Sequence, residues 1–381
     1  MLRNKKKRIN LAFVLIISLT CIILIFIPTG FENPSLTYST LREKAEIISV
    51  DNDDLQNFGA VTIGTQKLKL VILSGKFKHD TLSAENVLMG QLKIDKIFKP
   101  GDKVLTVIKT DKSGEKIISA RADDIFRINL ELILFLLFAL FLVSFAGWTG
   151  FKALISFVFT ALAIWKILLP LFLKGYHPIF LSLMIVSLTT SVIILLISGF
   201  SKKGLVALSG SIVGITITSL LALLFGYFFR IPGTVQEFSE ALIYAGFSNL
   251  RFSDMFLAAI FISAAGAVMD VAMDIAASQN ELIMKKPFMK ARELMLSGFS
   301  IAYPVIGTMT TTLLFAYSGS FLFVFMWFMA KGTPMINIFN VNYIAAEVLH
   351  TLVGSFGLVL VAPATAIIGA YIYTRDKHSG K

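Results

Sequence analysis

The chain has a single cysteine, Cys21, so it can form no internal disulfide and no cysteine-based metal site. Histidine is nearly as scarce, with four in 381 residues, which argues against a His-rich metal cluster. Charged residues make up only 15% of the chain against 56% hydrophobic, with 34 Phe, too apolar for an ordinary water-soluble domain. Also missing are the phosphate-cradling GxxxxGK[ST], the zincin HExxH and the GxSxG nucleophile turn. These absences remove the familiar nucleotide, zinc-protease and serine-hydrolase signatures, and with them any expectation of an enzyme, a cofactor or a metal.

Long apolar runs are what the sequence does contain. The basic start MLRNKKKR leads into Ile9 to Ile27, and no A-x-A-like cleavage site follows, so residues 1–30 read as a retained first membrane helix. The SLTC around Cys21 lacks the small residue a lipoprotein signal needs, which leaves Cys21 as a lipid-facing or packing residue. From Phe31 to Arg127 the composition changes to 15 Lys and Arg and 14 Asp and Glu with no long apolar run. Alternating or β-branched residues at Lys44 to Val50, at Lys67 to Ser74 and in VLTVI, with turns at Pro100-Gly101-Asp102 and Lys112-Ser113-Gly114, predict a small β-barrel or sandwich over 31–127. About five or six strands are expected. Lys93, Lys96, Lys99 and Lys103 read first as a solvated face, and second as a patch for lipid headgroups or a polymer.

Seven more apolar segments fill residues 128–375: Ile128 to Ala146, Ala153 to Leu173, Ile179 to Ser198, Leu205 to Phe229, Met255 to Ala277, Ser300 to Ala330 and Tyr343 to Tyr373. Each reaches the roughly 20 residues of a spanning helix, giving about eight crossings in all. The last two are over-long, which implies tilt, or breaks at Tyr317-Ser318-Gly319 and over Asn342 to His350. With the N-terminus inside, the short inner segments hold 15 Lys and Arg and the outer loops four, Lys174, Arg230, Arg251 and Lys331. That asymmetry predicts a multi-pass protein of the bacterial cytoplasmic membrane with both termini cytoplasmic, a tail at 376–381, and the β domain outside. It also accounts for the net charge of +11 without nucleic acid. Lipid is the default partner, including at the inner basic cluster KKPFMKAR.

Chemistry concentrates in AAGAVMDVAMDIAASQNE, Ala264 to Glu281. Asp270 and Asp274 sit at i, i+4 on one helix face, with Ser263, Gly266, Ala267, Ser278 and Glu281 on or near the same stripe. Carboxylates at membrane depth are costly and mark ion or proton pathways. The run GTMTTT on the next helix, with Gly307, Thr308, Thr311 and Thr312, reaches a similar depth and can offer oxygen ligands without charge. The plainer alternatives are that Asp274 ends the helix at the water boundary and that Asp270 accepts structural hydrogen bonds, the threonines serving as helix-packing glue. Glu347 and His350, at i, i+3 near the outer end of the last helix, read as an interfacial turn or as a secondary proton-accepting pair. Lys166 can snorkel. Gly210 and Gly214 allow close helix contact, either internal or in a homo-oligomer.

The runs GAVMDVAMDIAASQNEL, LMLSGFSIAYPVIGTMTTTLLFAYSGS and TLVGSFGLVLVAPATA, with KPGDKV before them, resemble the YibE/F-like family of bacterial membrane proteins along essentially the whole chain. The resemblance implies an exported β domain followed by a helical core, and it implies a small hydroxyl residue where this chain has Asp274. The GxxxD helix at Gly266 to Asp270, followed by a Gly- and Thr-rich helix, is also similar to the proton-relay region of resistance-nodulation-division and SecD/SecF-type exporters.

Two readings of function follow. In the first, an ion such as H⁺ binds at Asp270 with Asp274 or the threonines and drives a small molecule, lipid or peptide across the membrane. In the second, the core transports nothing and anchors a β domain that binds an envelope partner or ligand. A third, an intramembrane aspartyl enzyme, fits poorly because such dyads draw their acids from different helices.

Overall fold

The structure, a computed structural model, describes residues 2–31, 39–111 and 114–375. The tail at 376–381, and Lys112 and Ser113 of the expected second turn, lie outside the described residues. The chain forms two compact units, one of residues 31–141 and one of residues 1–30 with 142–381.

The first unit carries six strands: β1 (Ser39–Asp51), β2 (Gln56–Phe58), β3 (Val61–Ile72), β4 (Thr81–Met89), β5 (Lys103–Thr110) and β6 (Ile117–Ile125). Strands β1, β3 and β5 fall on the alternating segments the sequence marks, whereas β2, β4 and β6 lie outside them. In β5 the pattern is plainest: Val104, Thr106, Ile108 and Thr110 are buried while Lys103 and Lys109 are exposed. The long β1 serves two partners, pairing with β5 over Ser39 to Glu46 and with β3 over Ala45 to Asp51. A register shift between Ile47 and Ser49 lets it bend from one to the other. The order β1-β5-β6-β4-β3 therefore closes on itself through β1 and β3, with β2 a short hairpin extension and β4 beside β6 in parallel. This is the five-stranded Greek-key barrel of OB type.

One buried amide ties the barrel to the loop ahead of β5. Gln66 is fully buried; its Nε2 donates to Phe98 O (2.9 Å) and Asn52 Oδ1 (2.8 Å), and its Oε1 accepts from Phe98 N (3.0 Å) and Asn86 Nδ2 (3.1 Å). Loop backbone that has no strand partner is satisfied by a side chain. Of the four lysines read as a solvated face, Lys96 pairs with Asp124, which also accepts from Arg127 at 2.8 Å. Burial opposes ionisation of Asp124, but the bonds from Lys96, the Ile125 amide and Arg127 outweigh it and hold the carboxyl below its ordinary range.

The remaining elements are helical: α1 (Leu2–Phe26), α2 (Ile128–Ala163), α3 (Leu169–Leu173), α4 (Pro178–Ser198), α5 (Lys202–Phe229), α6 (Ser239–Tyr244), α7 (Phe252–Lys285), α8 (Ala291–Ser318), α9 (Leu322–Ala330), α10 (Met335–Asn340) and α11 (Asn342–Arg375). Among the described residues, seven helices are long and apolar enough to span a membrane, against eight expected. The difference lies in Ile128–Leu173, a run of 46 residues. At 1.5 Å per residue it measures about 69 Å, twice the roughly 30 Å of a bilayer's hydrocarbon core. It is broken at Gly147, whose φ of 51° and ψ of −128° no helix contains. The break that Tyr317-Ser318-Gly319 suggests is a 3₁₀ turn at Gly319–Phe321 between α8 and α9. No break occurs over Asn342 to His350, where α11 runs on as one helix.

Helices α5, α7 and α11 form the centre of this unit, with α4 and α8 packed around them. Glycines set the spacing. A methyl group at Gly214 would come within 2.7–2.8 Å of the Val268 and Val361 side chains, and one at Gly210 would collide with Thr365. Both glycines therefore serve contacts within the chain. Cys21 is buried beside Phe159 and Val192, a packing residue. Lys166 donates to Ile27 O at 2.9 Å.

Candidate functional site

Helix α7 is two-faced. Ala264, Val268, Val271, Ala272, Ile275 and Ala276 are buried in the bundle, while Ser263, Gly266, Asp270, Asp274 and Glu281 lie on its open side. At 100° per residue, Ser263, Asp270, Asp274 and Glu281 stay within about 20° of one line, a straight polar stripe. From Ser263 to Glu281 is 18 residues, or about 27 Å. The helix continues to Lys285, past the end of the apolar run at Ala277, because SQNELIMK is polar yet made largely of good helix formers. Asp270 therefore lies about 22 Å from the C-terminal end of α7, where the apolar run alone puts it at about 12 Å.

The threonines of α8 do not join the carboxylates. Thr308 donates to Val305 O (3.0 Å), Thr311 to Gly307 O (3.3 Å) and Thr312 to Thr308 O (3.0 Å), all within their own helix. Among the described residues, neither Asp270 nor Asp274 has a hydrogen bond or ion pair with another side chain. Gly266 and Gly307 border open space: an added methyl would meet nothing within 4 Å at either.

What the structure does bring together lies at the N-terminal end of the stripe. Ser263 Oγ is 2.5 Å from His350 Nε2, and it also donates to Ile260 O at 2.9 Å. His350 Nδ1 faces Glu347 Oε2 at 3.8 Å. The side chains of His350 and Glu347 retain 18% and 21% of their exposure, shielded but reachable. The Tyr317 ring of α8 lies over the His350 ring, centroids 4.5 Å apart, with its hydroxyl buried near Ser263. Three helices, α7, α8 and α11, thus each give a polar group to one cluster. Of these the sequence singles out Glu347 and His350 by spacing and Ser263 by its place on the stripe; Tyr317 appears there only as a possible helix break.

The cluster borders a cavity of about 680 Å³ lined by Glu347, His350, Tyr317 and Tyr343, with Gln236 and Glu237 at the segment before α6. On its other side Glu347 borders a second, apolar groove of about 240 Å³. The larger volume falls in the range of small-molecule sites. An imidazole between a carboxylate and a hydroxyl can take a proton at one ring nitrogen while releasing one from the other.

A second buried polar residue lies where the sequence offers a water boundary beside Asp274. Gln279 of α7 is fully buried and donates to Leu294 O (3.1 Å) of α8 and Ala366 O (3.0 Å) of α11, with Gly298 and Gly369 making room for it. Its signal was periodicity: it continues the buried line of Val268, Ala272, Ile275 and Ala276.

Residues 134–375 match the YibE/F-like protein family, and residues 38–125 match the YibE/F family N-terminal domain. No curated protein and no solved structure matches the chain. The two family matches take in the helical core and the barrel respectively, and the chain belongs to the YibE/F family.

Proposed function

We propose that this YibE/F-family membrane protein is a secondary transporter or exporter component in which proton exchange at Glu347, His350 and Ser263 is coupled to the movement of a solute. The supporting observation is the Ser263–His350 contact, which joins the acidic stripe of α7 to Glu347 at the edge of a cavity. The stripe, at about 27 Å, is nearly as long as the hydrocarbon core is thick. Carboxylates at that depth need water or protein beside them, and the open space at Gly266 leaves room for water between Ser263 and Asp270. Asp270 and Asp274 then act as relay acids toward the cytoplasmic end, and Glu281 as the exit.

The topology of this reading has eight crossings, with Ile128–Leu173 counted as two segments divided at Gly147. The termini and the basic KKPFMKAR segment are cytoplasmic, and the barrel and the Glu347 cavity face outward, in keeping with 15 inner and four outer Lys and Arg.

The test is a proton-flux assay in proteoliposomes carrying a pH gradient and a trapped pH dye. Candidate solutes offered on the cavity side should discharge the gradient with wild type and should do so at least tenfold more slowly with Glu347→Gln at equal folded amount. Solute-dependent discharge of the same rate in Glu347→Gln would overturn the assignment.

A further inference from the structure

The two hollows that meet at Glu347 have a consistent chemistry. The larger is walled by Phe256, Tyr317, Phe321 and Tyr343 and carries two carboxylates, Glu347 and Glu237. Neither it nor the smaller groove is lined by any Lys or Arg. Aromatic faces and carboxylates both attract positive charge, and with no Lys or Arg in the walls an anionic ligand has no permanent cation there to pair with. His350, the basic side chain of the larger hollow, has its Nε2 committed to Ser263 and its Nδ1 toward Glu347.

The smaller groove is lined by Leu314, Phe325, Phe339, Ile344 and Leu352, and shares Phe321 and Glu347 with the larger. Its walls are almost wholly apolar. Because Glu347 and Phe321 line both hollows, a ligand with a positive centre at Glu347 can set that charge against the carboxylate and its apolar part in the smaller groove.

From this we infer that the site takes an amphipathic organic cation, its charged centre held between Glu347 and the ring faces of Tyr317 and Tyr343 and its apolar part lodged among Phe325, Phe339 and Leu352. This assignment rests on the reading of Glu347 as the exchanging group: a carboxylate that holds either a proton or the cation links the two without a further component. The groups facing Glu347 are His350 on its own helix, Tyr317 on α8, Ser263 on α7 through His350, and Glu237 across the cavity.

The probe is tetraphenylphosphonium, a permanent cation with aromatic arms, and its neutral counterpart triphenylphosphine oxide. Binding of each to the purified full chain in detergent is measured by equilibrium dialysis against empty micelles. Saturable binding of the cation is expected, at least tenfold tighter than the neutral compound. Glu347→Gln should weaken it at least tenfold, Glu347→Asp should retain most of it, and Phe339→Ala should weaken it about threefold to tenfold through lost apolar contact. Thermal melting of each variant guards against loss of fold, and the Asp variant keeps the test decisive if the Gln variant is unstable. Equal binding of cation and neutral compound, or full binding by a folded Glu347→Gln, would overturn the inference. Cation binding that depends on Glu347 without solute-driven proton flux would keep the cation site and remove the coupling. Flux driven by solutes other than cations, with no tetraphenylphosphonium binding, would keep the coupling and remove the cation site.

Discussion

Gln66 in the barrel and Gln279 in the helical core are both fully buried, yet the two regions use them differently. In the barrel the amide completes backbone that has no other partner: Phe98 N–H and C=O both close on Gln66. In the core the amide donates to Leu294 O and Ala366 O, carbonyls inside helices, and its own Oε1 has no partner among the described residues. A small barrel must turn its chain often and leaves loop groups to satisfy. A helix satisfies its own backbone, so a polar side chain between helices adds a contact without rescuing one.

Removing each amide should show the difference. Gln66→Leu orphans the Phe98 N–H and C=O and takes one of two acceptors from the Asn86 amide, which keeps Lys96 O, and at about 1–3 kcal/mol per buried unsatisfied group a cost of about 3–5 kcal/mol is expected. Protease cleavage within residues 92–102 of the full-length protein should rise accordingly. Gln279→Leu should cost about 1 kcal/mol, the range of interhelical hydrogen bonds in membranes, read as a small loss of thermal stability in detergent. If the Gln279 change proved the more costly, the distinction between the two regions would fail.

A smaller effect separates the regions by pH. Asp124 holds its proton less tightly in the folded barrel than in the unfolded chain. Its contribution is therefore present above the ordinary Asp value near 4 and is lost as pH falls through its lowered folded value. Asp124→Asn should flatten the acid limb of barrel unfolding below about pH 4, and because the pair is partly exposed the effect should also shrink with added salt.

Much of this architecture is legible along the chain, because its signals are local. Alternation in KVLTVIKT marks β5, and apolar length marks each membrane helix. The Gly147 region was visible as a gap between apolar segments, but whether the helix ends there is a backbone matter. For α7 the apolar run ends at Ala277, whereas helix propensity carries the helix on to Lys285. The site was only half legible. Asp270, Asp274 and Ser263 share a stripe by spacing alone, and Glu347 and His350 share a turn. That Ser263 meets His350, 87 positions away, depends on how α7 and α11 pack, which no periodicity encodes. Depth alone sets the threonines level with the acids, whereas their side-chain rotamers, which depth does not encode, bond carbonyls of their own helix.

Exchange of a proton at Glu347 is the central claim, and its most direct test is the carboxyl infrared band of the full-length protein in liposomes followed across pH. A carboxyl signal that titrates reversibly in the roughly pH 5–8 range where a working proton site must exchange is predicted for wild type, and its loss in a folded Glu347→Gln variant. A signal that survives Glu347→Gln and disappears instead in Asp270→Asn would contradict the account and move proton exchange to the middle of α7.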